Sequence, residues 1–310
     1  MAEIVITGGQ GFLGRHLTKK LTTLGRNVCS TYNYTLPACA TKPNLSFQKV
    51  DVIHFDECLK LINQENPKIV IHLVAQPIVT AAVRHPFPTE ELTIRGSYNI
   101  LEAIRQTGNP TLIIYFSTDK VYGNNKNATE DSPLAGVEHP YNASKVCGDV
   151  IAQMYCKSFG LPVSIVRSAN IYGGGDFHWD RLVPGISRQI LHNEQPVLRS
   201  SGRQIRDYIY IDDLMDAFVS MIDTVSVGDG TPLNLGAETP FTSTEIVDKL
   251  LYLAGRVDLA PKVLDGARDE IDAQHIVYDK AKELLGWIPH TSIDEGLEKT
   301  LAWYKDWFSK

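Results

Sequence analysis

The sequence predicts an α/β protein built on a doubly wound parallel sheet, and three observations carry that prediction. A β-branched run, Glu3-Ile4-Val5-Ile6-Thr7, passes directly into Gly8-x-x-Gly11-x-x-Gly14 and then into a stretch with helical spacing. Continuous apolar runs over residues 69–75 and 112–116 read as strands covered on both faces, as parallel strands are. Helix-period segments separate these runs, so strand and helix alternate as far as residue 167.

The first strand ends at the glycines. Gly8 and Gly11 let the backbone approach a phosphate, and Gly14 lets the following helix lie close on the strand. That helix carries Leu13, Leu17, Leu21 and Leu24 on one face and stops at Gly25. Its N-terminus offers free N–H groups and the positive end of a dipole to a pyrophosphate, which points to a dinucleotide cofactor. A second strand over residues 27–31 runs into Tyr32-Asn33, where an acid for the adenosine ribose is expected. No acid stands there, and no Arg or Lys lies between Arg26 and Lys42, so NAD and NADP both stay open. Residues 32–44 read as a polar surface loop. A third strand over residues 45–50 ends at Asp51-Val52. Asp51 either accepts from the adenine amino group or caps the helix that starts at Phe55.

His72, inside the fourth strand, reads as a hydrogen-bonded core histidine. Gln76-Pro77 leave that strand at its carboxyl end, where ligands bind in such sheets. Residues 90–106 have helical spacing through Leu92, Ile94, Tyr98, Leu101 and Ile104. The next strand ends in Ser117-Thr118-Asp119-Lys120, a cluster of hydroxyls, carboxylate and amine where this architecture places its chemistry. A helix then runs to about residue 159, followed by a strand over residues 163–167. Beyond residue 169 the alternation weakens into loops and short elements, among them Asn170-Ile171-Tyr172-Gly173-Gly174-Gly175-Asp176. A short strand leads into a helix at residues 206–213, and helices are expected near residues 243–254, 279–285 and 292–308. The last buries Leu297, Leu301 and Trp303 or Tyr304. Residues 1–169, with 205–225 returning to them, are expected to form a nucleotide-binding domain, and 170–310 most of a substrate domain.

Tyr141-Asn142-Ala143-Ser144-Lys145 is the stretch around which the chemistry is organised. A Tyr and a Lys four residues apart share one face of a helix. A free phenol titrates near a pKa of about 10, and an adjacent ammonium favours the phenolate, so the pair makes a general base for neutral pH.

Composition narrows the partners. The chain has 310 residues, 43% hydrophobic and 21% charged, an ordinary globular balance. A net charge of -6 argues against a nucleic-acid surface. No apolar run approaches the ~20 residues that span a bilayer, and the N-terminus has no signal-peptide pattern. Five cysteines with no C-x-x-C pair suit reduced thiols, so a cytoplasmic protein without a metal site is expected.

Together, the glycine triplet, Ser117-Thr118 at a strand end and Tyr141-x-x-x-Lys145 resemble the extended short-chain dehydrogenase/reductases. These are nucleotide-sugar enzymes with a Rossmann domain and a smaller C-terminal α/β substrate domain. The resemblance covers the whole chain. Arg167-Ser168-Ala169-Asn170-Ile171-Tyr172-Gly173, Gly202-Arg203-Gln204-Ile205-Arg206-Asp207 and Leu285-Gly286-Trp287 match the family's later segments. Within it, His72-Leu73-Val74-Ala75-Gln76-Pro77, Asp119-Lys120-Val121-Tyr122, Gly173-Gly174-Gly175-Asp176 and Asp180-Arg181-Leu182-Val183-Pro184 are similar to the 4,6-dehydratases of the CDP-glucose type. The chain is shorter than expected of that type, so some substrate-domain loops are trimmed.

The resemblance implies roles. Tyr141 takes the proton from the sugar 4-hydroxyl, Lys145 holds the phenolate, and Thr118 or Ser117 orients the 4-oxygen. Asp119 protonates the leaving 6-hydroxyl and Lys120 is the candidate base at C5. NAD, reduced and reoxidised within each turnover, would be contacted by Gly8, Gly11, Phe12, Leu13, Gly14, Asp51, Val52, Leu73, Ala75, Ser117, Tyr141 and Lys145. Gln76, Asn170, Arg181, Arg206 and Arg268 are the candidates for the substrate, the arginines for its diphosphate. A homodimer is expected through a bundle of residues 90–106 and 141–159. Three rivals remain: a sugar-nucleotide epimerase, which has no use for Asp119; a 4-ketoreductase consuming NADPH; and a binding module that holds NAD without turnover.

Overall fold

The computed structural model describes residues 1–34, 42–224, 228–238, 240–266 and 271–310. Its centre is a seven-stranded sheet in which every pairing is parallel. In spatial order the strands are Asp229–Leu235, Val163–Ser168, Leu112–Thr118, Ile69–His72, Ile4–Thr7, Val28–Tyr32 and Leu45–Lys49. The strand order reverses between Ile4–Thr7 and Ile69–His72, so a crevice opens beyond their carboxyl ends.

Side-chain alternation shows why the strands read as unbroken apolar runs. Ile4 and Ile6 join the core on one face of the sheet and Val5 joins the core on the other, all fully buried. Helices Phe55–Glu65, Gly96–Thr107 and Pro140–Phe159 cover the Val5 face. Phe12–Thr23 and Ile211–Asp223 cover the other. Leu17 and Leu21 face the core as the spacing predicts, but Leu24 ends the helix and lies exposed. The helix expected over residues 90–106 begins earlier, as Val79–Arg84 and Pro86–Glu90, and passes through a π turn at Glu91–Arg95 before Gly96–Thr107.

A smaller sheet stands over the crevice. Ile205–Tyr210 pairs with Pro240–Thr242, Ala273–Gln274 and Asn170–Tyr172, so the segment read as a glycine-rich loop starts as a short strand. Around it pack Leu182–Leu191, Ser243–Leu253 and Ile293–Phe308, while Asp279–Leu285 packs on Asp229–Leu235 of the main sheet and on Ile211–Asp223. Thr242 and Glu245 form a reciprocal capping box, and Ser292 caps the terminal helix. That helix buries Leu297, Leu301 and Tyr304. The main sheet also takes Asp229–Leu235, whose Gly230 and Pro232 hide its strand pattern and whose register shifts between Asp229 and Pro232.

His72 is a core residue whose Nδ1 lies 2.7 Å from the Thr7 hydroxyl and whose ring stacks on Tyr115. Burial, aided by the Lys145 charge, pulls its pKa down to about 3. Below about pH 6.5 the unfolded chain takes up a proton that folded His72 refuses, so stability is lost as pH falls from 6.5 towards 3. Urea denaturation at pH 7 and pH 5 tests this: His72→Asn removes about 2 kcal/mol of the wild-type loss between those two pH values. Equal losses in both proteins would rule out His72 as the source.

Candidate active site

The crevice is a cleft of about 1580 Å³ between the carboxyl ends of the large sheet and the smaller lobe. At one end the glycine loop forms its floor. Gly8 has φ +74°, and a Cβ on Gly14 would lie 2.4 Å from the Gly8 carbonyl, so only glycine permits the contact of helix and loop. The helix starts at Gly11 with no side-chain cap and no acid in its first turn, leaving the cleft beside Gly11, Phe12 and Leu13 open to an anion. Leu73, Val74 and Ala75 line the facing wall.

Beside the second strand the cleft wall is built, among the described residues, of uncharged side chains. Thr31 Oγ1 accepts from the Gly8 N–H at 3.3 Å and Ser30 Oγ accepts from Gln10 Nε2 at 3.2 Å, so the wall is completed by Tyr32, Asn33 and Tyr34. Asp51 takes neither expected role: its Oδ1 accepts from the Ile53 N–H at 3.2 Å in the turn before helix Phe55–Glu65, whose N-cap is His54 with no side-chain cap. Val52 is buried, with its carbonyl on Asn99 Nδ2 at 2.9 Å, and neither residue lies on the cleft wall. Gln76 is also off the wall, with its Oε1 capping the Ile78 N–H at 3.2 Å.

Midway along the cleft the predicted cluster assembles. Ser117, Thr118, Lys120, Tyr141, Lys145 and Asn170 all line it. Thr118 donates to Asp119 Oδ1 at 3.1 Å. Lys120 Nζ bridges Asp119 Oδ1 at 3.3 Å and Asn170 Oδ1 at 3.0 Å. Burial lowers the Lys120 pKa, with Asp119 opposing. Asp119 itself is fully buried behind that wall, and its Oδ2 has no partner among the described residues. Ser117 Oγ is likewise buried and unpartnered among them. An orphaned hydroxyl and an anion-ready helix end on one cleft fit a dinucleotide that brings its own donors and acceptors.

The tyrosine–lysine pair departs from expectation in one respect. Burial raises the Tyr141 pKa; the Thr118 hydrogen bond and the Arg181 charge oppose it. Lys145 Nζ instead donates to the Phe116 carbonyl and lies over the Tyr115 ring, 5.1 Å from its centroid. Burial pulls the Lys145 pKa down to about 8, with Asp149 opposing. Helical spacing puts the two residues on one face, but the side-chain direction is set by the strand carbonyl beneath.

The cleft is also lined by Arg181, Arg199 and Arg206 with Phe177, His178, Trp179 and Gln204. Arg206 Nη1 donates to the Ile205 carbonyl at 2.8 Å. Arg199 pairs with Asp180 at 2.8 Å. Arg268 lies outside the described residues. The sequence reading missed Phe177, His178, Trp179, Arg199 and Gln204; their signal was their neighbours, the Asp180-Arg181 and Gly202–Asp207 segments already quoted. Among the described residues no group of three His, Cys, Asp or Glu is arranged for a metal, and no helix is long and apolar enough to cross a membrane.

Residues 4–236 match the NAD dependent epimerase/dehydratase family. A CDP-glucose 4,6-dehydratase of Salmonella typhimurium is 29% identical over 335 aligned positions, covering 98% of this chain and 91% of that one. In structure, the UDP-glucose 4-epimerase of Thermotoga maritima, solved with UDP-glucose, superposes with a TM-score of 0.91 at 26% identity over 98% of this chain and 99% of the other. A UDP-glucuronic acid 4-epimerase of Bacillus cereus, solved with UDP-glucuronic acid and NAD, gives 0.90 at 25% identity, over 98% and 99% of the two chains.

Proposed function

Because the chain belongs to the NAD-dependent epimerase/dehydratase family, we propose that it is an NAD-dependent nucleotide-sugar 4,6-dehydratase, of the CDP-glucose type, that forms a 4-keto-6-deoxy sugar. The observation that carries this is the Asp119–Lys120 pair beside Thr118, a carboxylate and an amine set next to the tyrosine–lysine face. The similarity to a CDP-glucose 4,6-dehydratase supports it. An epimerase needs no such pair, although the likeness to two epimerase structures makes epimerisation the second reading.

NAD would be held by Gly8, Gly11, Phe12, Leu13 and Gly14 at its pyrophosphate and by Ser117, Tyr141 and Lys145 at its nicotinamide end. When bound it supplies a hydride acceptor for C4 and a hydride donor for C6 of the same sugar. Tyr141 takes the proton of the sugar 4-hydroxyl, and the nearby positive charge of Arg181 favours its phenolate. Thr118 holds the 4-oxygen. The resulting 4-ketone acidifies the C5 proton. Lys120 is the member of the pair on the cleft wall, and its lowered pKa suits it to take that proton. Asp119, hydrogen-bonded to Lys120 and Thr118 from behind, enters the elimination as the carboxylic acid and gives its proton to the 6-hydroxyl, so that the C6–O bond breaks with loss of water and Asp119 is left as the carboxylate. Asp119→Asn is expected to stop the reaction after C4 oxidation, leaving the cofactor reduced, read as a stable absorbance near 340 nm. Normal release of the dehydrated product would remove Asp119 from the elimination.

The protein is proposed to work in the cytoplasm as a homodimer. Val150, Met154 and Phe159 lie exposed on the helix Pro140–Phe159, as a dimer bundle requires. A monomer in sedimentation equilibrium would refute that part.

Incubation with CDP-, UDP- and dTDP-glucose in deuterated water, followed by mass and NMR analysis, tests the whole. A product lighter by one water, with a 4-keto group and deuterium at C5, is expected. Unchanged mass with altered configuration identifies the epimerase. No conversion of any of the three, together with reduction of ketosugars by NADPH, identifies the ketoreductase; bound NAD without any turnover identifies the binding module.

A further inference from the structure

The Gly173-Gly174-Gly175-Asp176 loop enters no step above, yet it is held from two sides. Arg15 Nη2 donates to the Gly175 carbonyl at 2.9 Å, and His16 Nε2 meets the Gly174 carbonyl at 2.9 Å. Both residues belong to the helix whose first turn faces the cofactor end of the cleft. From the other side, Tyr304 of the terminal helix donates its hydroxyl to the Asp176 carbonyl at 2.6 Å. Trp303 covers Gly174 so closely that a Cβ there would lie 2.3 Å from the indole.

What the loop presents is the Asp176 carboxylate, 1% exposed. Its Oδ1 accepts from the His178 N–H at 3.0 Å and lies 2.9 Å from His178 Nδ1; its Oδ2 accepts from Arg181 Nη1 at 2.9 Å. Burial pushes this carboxyl up, but the His178 and Arg181 donors outweigh it and hold it below its usual range. Arg181 lines the cleft, and Asp176 is the only partner of its guanidinium among the described residues. The Arg181 charge is felt at both Tyr141 and Lys120, so it stands near the sugar end. A guanidinium is a planar fork of donors; tied on one side to a fixed carboxylate, it turns the other to an incoming anion. In a nucleotide sugar the anion beside the sugar is the diphosphate.

We infer that Asp176 is a positioning residue: fixed through its loop by Arg15, His16 and Tyr304, it holds Arg181 in the orientation that receives the diphosphate of a nucleotide sugar. The inference rests on the nucleotide-sugar reading of this cleft. An unheld arginine would lose its rotamer freedom only on binding, and would bind more weakly.

Calorimetric titration of CDP, UDP, dTDP and NAD into the wild type, Asp176→Asn, Arg181→Gln and the double variant tests it. Asp176→Asn is expected to weaken the best-bound nucleoside diphosphate by about tenfold or more, with NAD affinity held within about twofold. In turnover the larger part of the loss falls on KM, because the diphosphate contact is made in the ground state as well as in the transition state. In the Arg181→Gln background, Asp176→Asn adds less than about twofold, because the group it positions is already gone. Wild-type affinity in Asp176→Asn overturns the inference. So does an equal loss with and without Arg181, which would mark a purely structural role. Should Asp176→Asn fail to fold, unchanged diphosphate affinity in Arg181→Gln overturns it instead. A wild type that binds none of CDP, UDP and dTDP removes the nucleotide-sugar reading and this inference with it, a result distinct from normal wild-type binding that Asp176→Asn leaves intact.

Discussion

Replacing Tyr141 with Phe lowers turnover by about 10²–10⁴-fold, the range expected when a positioned general base is removed. The ring and its packing stay, so NAD affinity stays within about threefold and the fold is unchanged. The lost atom is the one hydroxyl on the cleft wall poised between Thr118 and the Arg181 charge. Because burial raises this phenol, the wild-type rate is expected to climb with pH on the alkaline side as the phenolate forms, and Tyr141→Phe loses that limb. A loss of only about tenfold with the limb intact would make Tyr141 a substrate hydrogen-bond donor, and the base would have to be sought elsewhere. The outcome also separates Tyr141 from Asp119. The Phe variant fails before any hydride moves, so the cofactor stays oxidised, whereas the Asn variant is expected to accumulate it reduced.

How much of this was legible depended on what kind of physics wrote it. The large sheet was legible because parallel strands must be apolar on both faces, and Ile4, Val5, Ile6, Val70 and Ile71 are all fully buried. The strand Asp229–Leu235 escaped because Gly230 and Pro232 break the pattern, while its pairing to Val163–Ser168 is settled by tertiary contact. The helix Leu182–Leu191 was hidden in the same way, read as part of a motif rather than as an amphipathic turn. At the site, spacing showed that Tyr141 and Lys145 share a face. It did not show that Lys145 would spend its ammonium on the Phe116 carbonyl. Nor did it show that Asp119 would sit behind the wall rather than on it, since Gln274, which donates to the Asp119 carbonyl, comes from a distant segment. Asp51 was left between two roles and takes neither: it accepts from the Ile53 N–H, and His54 is the N-cap of the helix.

The largest stability effect is expected from a residue outside the chemistry. Arg167 is 2% exposed and grips Asp149 with both Nε and Nη2 at 2.9 Å, while Nη1 donates to the Tyr122 hydroxyl at 2.9 Å and the Glu130 carbonyl at 3.1 Å. Tyr122 passes the link on to Asn234 at 2.7 Å. One guanidinium thus ties the helix that carries Lys145 to two strands of the sheet and to the turn after Asp119. Arg167→Ala leaves Asp149 charged, buried and held, among the described residues, only by Gln153, at a cost of about 3–5 kcal/mol. At about 2–4 °C per kcal/mol, Tm falls by on the order of 10 °C in calorimetry. A loss under about 1 kcal/mol would mean that water or a rearranged side chain satisfies Asp149. The double variant Arg167→Met, Asp149→Leu removes both charges together and is expected to recover most of that loss, because an apolar pair of similar volume avoids the desolvation cost. It also separates stability from function. Asp149 is the group that opposes the burial of Lys145, whose pKa is about 8 with that carboxylate present. Without it the lysine pKa falls further, and the pH at which Lys145 loses its charge moves below 8. A folded double variant with its activity profile displaced to lower pH would show that Asp149 serves the fold through Arg167 and the site through Lys145. An undisplaced profile would confine it to the fold.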